Sequence, residues 1–133
     1  VAHEVRRPDG SVLRYASTRD TDEAWGTLSA VDLAAAGRIR WQLRTEEPLV
    51  GGVLATAGGL VFTGAGKGVF AAFHAGSGAR LWAYRCEAGV NAPPVTYTVD
   101  GRQVVAVAVG GNALFGFPQG DMVVAFALDP AGR

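Results

Sequence analysis

The sequence predicts an all-β fold, a partial β-propeller of about two to three four-stranded antiparallel blades. The first observation is the stretch 51–84, in which four short apolar runs are separated by glycine turns. Runs of this length, rich in β-branched and aromatic residues, predict strands that are joined in hairpins. The second observation is that the unit recurs with a period of about forty residues, which is typical of propeller blades.

The repeat is visible in matching sequence segments. GTLSAVD, from Gly26, is followed by a glycine turn and Trp41, and GVFAAFH, from Gly68, is followed by a similar turn and Trp82. A third partial copy, GDMVVAFALD, starts at Gly120. A single blade cannot cover both of its own faces, so repeated blades must stack. We therefore expect both tryptophans to pack between adjacent blades, with each indole N–H on a carbonyl oxygen.

The repeat divides the chain into a polar lead-in at 1–25 and propeller blades at 26–133. In the lead-in, Pro8-Asp9-Gly10 predicts a turn and 12–15 a short strand. Residues 18–23 predict a charged surface loop. Asp20, Asp22 and Glu23 could also form a cation site, but the loop is the stronger interpretation because the spacing of a calcium-binding loop is absent. The blade region comprises the end of one blade, a complete blade and an incomplete last blade, at 26–44, 51–84 and 90–129.

The apolar runs and the turns between them predict nine further strands. The end of the first blade supplies two strands between Gly26 and Leu43, and the complete blade supplies four, at 53–56, 60–63, 69–73 and 80–84. In the last blade, we expect an innermost strand at 90–97, which begins near two prolines, and a third strand at 121–128. Between them, Asp100-Gly101 predicts a tight hairpin turn before a buried strand at 103–109, and 110–119 predicts a loop.

Few residues of the sequence are candidates for contact with a ligand. Asn91 and Val90 open an innermost strand, and Gly51 and Gly52 open that of the preceding blade, so all four are candidates to face a central channel. For the two glycines, a tight crossing between blades is an equal alternative. The apolar residues at 114–117 predict either a lid or a contact with another blade.

Other side chains favour structural roles. Asp32 is expected to cap the turn that follows it, and His74, at the equivalent position, is expected to be a turn residue rather than a metal ligand. Cys86 is expected to be a buried, inert thiol. We predict no catalytic and no metal-binding residue in this chain.

The bulk composition excludes several function classes. Twelve basic and twelve acidic residues give a formal net charge of zero, which gives no electrostatic case for nucleic acid or anionic membranes. No apolar run is long enough to predict a transmembrane helix. Since the chain starts with valine and shows no signal peptide, we expect a processed chain or a piece of a longer reading frame.

One repeat motif and an ordered set of three further motifs resemble those of a known family. Ala30-Val31-Asp32, then a glycine turn and Trp41, is similar to the tryptophan docking repeat of quinoprotein dehydrogenases. The ordered set GGVLATAGGLVFTG, GVNAPPVTYTVDGRQVVAVAVGG and GDMVVAFAL resembles the C-terminal end of pyrroloquinoline quinone (PQQ) dependent alcohol and glucose-type dehydrogenases. The resemblance covers about residues 26–129. It implies an eight-bladed periplasmic parent propeller that holds PQQ and a Ca²⁺ or lanthanide ion on its axis.

The resemblance implies an oxidoreductase that oxidises an alcohol or a sugar by hydride transfer to the quinone. The family's aspartate base, metal ligands and vicinal cysteine pair have no match here, and Val50 stands where many alcohol dehydrogenases carry a tryptophan under the quinone. We therefore expect this chain alone to be inactive and to bind PQQ and metal weakly. Its expected partners are the remaining blades or other copies of itself. The alternative is a non-enzymatic propeller scaffold for protein–protein interaction, since propellers with the same repeat serve in that role.

Overall fold

The computed structural model describes residues 2–6, 8–16 and 24–127, and these form antiparallel strands with one short 3₁₀ turn. The predicted surface loop at 18–23 and the end of the last predicted strand lie outside these residues. The strands are β1 Ala2–Arg6, β2 Val12–Ala16, β3 Gly26–Asp32, β4 Arg38–Thr45, β5 Val53–Ala55, β6 Leu60–Gly64, β7 Val69–His74, β8 Arg80–Arg85, β9 Val95–Val99, β10 Arg102–Val109 and β11 Met122–Ala127.

The strands form four antiparallel sheets, in the orders β1-β2, β3-β4, β5-β6-β7-β8 and β11-β10-β9. We call the last three the first, central and last sheets. The central sheet has its four strands in chain order, which is the meander of a propeller blade. The all-β fold is thus confirmed, and no helix of the described residues is long and apolar enough to cross a membrane.

Two details differ from the sequence prediction. Strand β1 was not predicted, because AHEVR lacks the apolar run that indicates a strand. The innermost strand of the last sheet was predicted to start at Val90 but starts at Val95. Two prolines, which have no N–H to donate to a ladder, precede that start directly.

The hairpin between β9 and β10 turns at Asp100 and Gly101, as predicted. Asp100 has φ 49° and Gly101 φ 76°, so both central residues lie in the left-handed region. This conformation belongs to the type I′ turn, which matches the twist of the two strands it joins. The turn fixes the register of β9 against β10, with Arg102 opposite Val99.

The middle of the central sheet is covered on both faces, because its residues alternate between two apolar clusters, whereas β8 at its edge is exposed. Toward the first sheet, Val61, Ala71 and Phe73 pack with Leu28; we call this contact the first junction. Toward the last sheet, Phe70 packs in a second apolar cluster, and we call this contact the second junction. Its other buried members are Cys86, Ala88, Val90, Val105, Val107 and Val109. Strand β7, in the middle of the sheet, is therefore almost wholly buried.

The repeat extends to the backbone irregularities. The β3–β4 ladder shifts register between Ala30 and Val31, so that Ala30 opposes Trp41 while Val31 opposes Ile39. The β7–β8 ladder shifts in the same way between Ala72 and Phe73, and there Ala72 opposes Trp82. Each shift leaves one extra residue immediately before the tryptophan, which is a β-bulge.

Candidate functional site

Four connecting segments meet at one end of the stacked sheets, which we call the crossover end. They are the linker at 46–52, the β6–β7 turn at 65–68, the β8–β9 crossover at 86–94 and the β10–β11 loop at 110–121. Strands β5 and β9, the first strands of the central and last sheets, both begin here. All four ligand-contact candidates predicted from the sequence belong to these segments, so the structure brings them together.

Backbone hydrogen bonds tie the four segments to one another. Val90 N donates to Ala65 O at 3.1 Å, and Gly66 N donates to Pro48 O at 3.0 Å. Gly89 N donates to Pro118 O at 2.8 Å, while its carbonyl oxygen accepts from Gly111 N at the same distance. Because these are main-chain contacts between segments far apart in sequence, the crossover end has a defined shape.

Gly51 and Gly52 lie where the linker and the crossover come close together. A Cβ at Gly51 would lie 3.1 Å from Asn91 O, and a Cβ at Gly52 would lie 2.5 Å from Pro93 Cβ. The approach leaves no room for a side chain at Gly52, whereas at Gly51 the crossover would have to move by a few tenths of an ångström to admit one. Of the two interpretations from the sequence, this geometry favours the tight crossing.

Val90 and Asn91 both point inward. Val90 has no exposed surface and packs against Gly64, where a Cβ would lie 2.3 Å from Val90 Cγ1, so its side chain is not available to face a channel. Both amide atoms of Asn91, Oδ1 and Nδ2, are buried, and neither has a hydrogen-bond partner. An unsatisfied buried amide is costly, which marks Asn91 as the unusual polar group of the site.

A carboxylate that the sequence did not single out holds the linker in place. Glu47 Oε2 accepts from Lys67 N at 2.9 Å, and Glu47 Oε1 pairs with Arg85 NH1 at 3.1 Å. The Glu47 side chain is 16% exposed while that of Arg85 is 66% exposed. The contact joins the linker to the β6–β7 turn and to the end of β8. Only a three-dimensional arrangement reveals it, because Glu47 and Arg85 are far apart in sequence.

The β10–β11 loop covers the crossover with an aromatic side chain. Phe117 is buried against Gly66, where a Cβ would lie 2.4 Å from the Phe117 ring. The loop contains the 3₁₀ turn Ala113–Phe115, on which Leu114 is 72% exposed and Phe115 is 45% exposed. The ring of Phe115 stacks on that of Phe117 at 5.7 Å between centroids.

The residues predicted to be structural lie away from the crossover end. Trp41 Nε1 donates to Ala75 O in the β7–β8 turn at 2.8 Å, across the first junction. Asp32 Oδ1 accepts from Ala34 N at 3.0 Å and from Ala35 N at 3.2 Å, and Asp32 Oδ2 pairs with Arg40.

Trp82 and His74 occupy the equivalent places in the central sheet. Trp82 packs in the second junction against Phe70 and Phe126, edge-on to both rings. The exposed His74 makes a local contact in the β7–β8 turn, where its Nδ1 lies 3.1 Å from Ser77 Oγ.

The described residues do not by themselves make a binding site for a quinone and a metal. No group of three or more His, Cys, Asp and Glu among residues 2–6, 8–16 and 24–127 could hold a metal ion. The close approaches at Gly51 and Gly52 are filled by the chain. The Asn91 amide has the right chemistry for a carbonyl or carboxylate, but it lies below the surface. Burial also raises the pKa of the Cys86 thiol, so this group stays protonated at neutral pH.

Comparison with known proteins shows the family to which this chain belongs. Residues 8–105 match the family model described as glucose/ethanol/alcohol dehydrogenase, beta-propeller domain. The quinoprotein ethanol dehydrogenase of Pseudomonas aeruginosa is 44% identical over 122 residues, which are 90% of this chain and 19% of that protein. The quinoprotein glucose dehydrogenase of Escherichia coli is 34% identical over 125 residues, covering 79% of this chain and 16% of that protein.

Among solved structures, the crystal structure of quinohemoprotein alcohol dehydrogenase from Comamonas testosteroni superimposes with a TM-score of 0.68 and 34% identity. The match covers 86% of this chain and 18% of the chain of that structure. The chain thus spans less than a fifth of the length of the relatives it matches.

Proposed function

The chain belongs to the PQQ-dependent glucose, ethanol and alcohol dehydrogenase β-propeller family, and from this premise we propose that it supplies one wall of the cofactor channel in such an enzyme. The whole enzyme would oxidise an alcohol or a sugar. When bound, PQQ supplies the two-electron acceptor for the hydride that leaves the hydroxyl-bearing carbon. The relatives named as ethanol and glucose dehydrogenases support both substrate classes.

The observation that carries this proposal is the convergence of β5 and β9 at the crossover end. In a propeller, the first strand of each blade is the innermost one, so the starts of β5 and β9 would border the axis. Ligands bind preferentially in concave sites with few polar groups, and the mouth of a closed sheet arrangement is one of them. The segments at 46–52 and 86–94 would then form the wall.

We assign this wall a supporting role and no catalytic step. Glu47 fixes the linker through Lys67 N and Arg85, and the glycine contacts fix the spacing of the two inner strands. A rigid wall serves catalysis by holding a bound group in one orientation. The catalytic base and the metal ligands would come from other blades of a longer protein, located in the periplasm.

The experiment compares the isolated chain with a longer family protein in which this segment completes the propeller. Each is supplied with PQQ and Ca²⁺, and dye reduction is followed with ethanol and with glucose. We expect turnover from the longer protein and none from the isolated chain. Turnover by the isolated chain that survives repurification and is lost on chelation would contradict the supporting role. A longer protein that neither binds PQQ nor turns over would contradict the proposed function.

A further inference from the structure

The 3₁₀ turn in the β10–β11 loop presents two apolar side chains in a fixed position. Asn112 Oδ1 accepts from Leu114 N at 3.0 Å at the start of the turn, and Gly116, at φ 68°, closes it by donating from its N to Ala113 O at 3.1 Å. Phe117 N then donates to Asn112 O at 3.0 Å. Both ends of the turn are capped, so Leu114 and Phe115 are exposed on an ordered backbone.

This turn is attached to the inner crossover. The loop clasps Gly89 from both sides, since Gly89 N donates to Pro118 O and Gly111 N donates to Gly89 O. Gly89 is two residues from Asn91, at the approach to the first strand of the last sheet. The buried Phe117 ring anchors the loop on Gly66, and Phe115 stacks on that ring. The exposed pair is therefore held at the crossover end, beside the proposed channel wall.

The surface formed by this turn is apolar. Residues 113–117 are Ala-Leu-Phe-Gly-Phe, so no side chain in the turn donates or accepts a hydrogen bond. An alkyl or aryl chain that packs on Leu114 and Phe115 removes apolar surface from water on both partners. An aldose that takes the same place loses hydrogen bonds to water, and the turn offers none in return.

We propose that Leu114 and Phe115 form a selectivity surface at the substrate entrance, which favours alcohols with an alkyl or aryl chain over aldoses. This inference rests on the proposed function and assigns its substrate class. Neither residue takes part in the chemical step. Their effect is on the relative specificity for two substrate classes, and each apolar contact of this kind changes specificity by about tenfold or more.

The test uses the complete dehydrogenase that contains this segment. The variants are Leu114→Ser, Phe115→Ser and the double variant. The control is Leu33→Ser, because Leu33 is 88% exposed and lies in the β3–β4 turn at the opposite end of the sheets. The measured quantity is the ratio of kcat/KM for 1-butanol or benzyl alcohol to kcat/KM for glucose. We expect this ratio to fall about tenfold in each single variant and to stay unchanged in Leu33→Ser.

Two further measurements separate the possible failures. The thermal midpoint of each variant reports whether the pair packs against another blade, because loss of such packing destabilises the protein without changing selectivity. An unchanged ratio, with or without a lower midpoint, would overturn the selectivity surface and leave the proposed function intact. A parent enzyme with no quinone-dependent turnover on any of the three substrates would overturn the proposed function, and this inference with it.

Discussion

The two junctions of the central sheet use the same repeat residue in different ways. At the first junction, Trp41 spans the gap between sheets and donates its indole N–H to Ala75 O. At the second junction, Trp82 is 37% exposed, and no acceptor for its indole N–H lies within the part of the chain that the structure describes. It is held instead by rings, with Phe126 at 4.8 Å and Phe70 at 6.1 Å between centroids.

The difference shows that the repeat fixes the position of the indole ring, whereas its hydrogen bond depends on the following sheet. The position places a large indole on the face of one sheet, opposite an alanine of the adjacent strand. The hydrogen bond needs the outer turn of the following sheet. For Trp41 that turn is at 75–79, whereas for Trp82 the described residues end with β11 at Ala127. Among the described residues, apolar packing thus holds the indole at both junctions, and a hydrogen bond to its N–H is present at the first junction.

The largest expected effect comes from removing the ring at the centre of the second junction. Phe70 has no exposed surface and contacts the rings of Phe62, Trp82 and Phe126. Phe70→Ala should lower the free energy of unfolding by about 3–5 kcal/mol, as large aromatic truncations do. Denaturant midpoints measure it, with Val123→Ala, at a position 74% exposed, as the control. A loss under about 1 kcal/mol would show that the second junction is not a packed core.

A matched pair of variants isolates the hydrogen bond. Trp41→Phe removes the donor to Ala75 O and leaves that carbonyl unsatisfied, while Trp82→Phe removes an N–H that has no acceptor among the described residues. We expect Trp41→Phe to cost about 1 kcal/mol more than Trp82→Phe, the net value of one hydrogen bond. Equal losses in chemical denaturation would mean that the two junctions do not differ in the way described.

The second junction should also respond to pH through Cys86. Burial raises the pKa of this thiol above its ordinary value of 9.0. Since the folded pKa is the higher one, the contribution to stability is complete below the unfolded pKa and is lost as the pH rises through the folded pKa. Unfolding free energies measured between pH 8 and 10 should fall less in Cys86→Ala than in the parent. Identical pH profiles would show that the thiol is not desolvated.

The smallest expected effect concerns the turn at His74. Asp32 accepts two backbone N–H bonds at the equivalent position, whereas His74 contacts only a serine hydroxyl by its side chain. His74→Asp should be neutral or stabilising by up to about 1 kcal/mol, the value of such a side-chain cap. Asp32→Ala is the matched opposite change and should destabilise by a similar amount. A clear loss of stability in His74→Asp would indicate that the two turns are not equivalent.

Sequence patterns predicted the central sheet well, because each of its strands is an apolar run between glycines. The same patterns missed β1, whose residues are mostly polar. They also extended β9 too far toward its N-terminus, since Val90 is apolar. Val90 is buried by contact with Gly64 in the neighbouring sheet, which a strand pattern does not distinguish from burial within a ladder.

The structure brings the four predicted contact residues close together, and their position beside a ligand channel stays a prediction. The starts of the inner strands are indeed adjacent, as the repeat implies. The reason for Gly51 and Gly52 became visible only when Asn91 O and Pro93 were seen to occupy the space beside them. The contact of Glu47 with Lys67 and Arg85 joins three segments, and no local motif encodes it.

The β-bulge before each tryptophan determines where this repeat can change length during evolution. Arg40 and Leu81 are the extra residues of their ladders. Ala30 and Val31 are neighbours on β3, so the loss of Arg40 would leave a regular ladder in which the tryptophan still opposes Ala30 and keeps its face. The loss of a residue from a regular part of a strand would instead turn every residue beyond it to the other side of the sheet. Length differences of one residue among related repeats should therefore be found at the bulge and at the turn tips, 33–37 and 75–79, and not within the regular ladders.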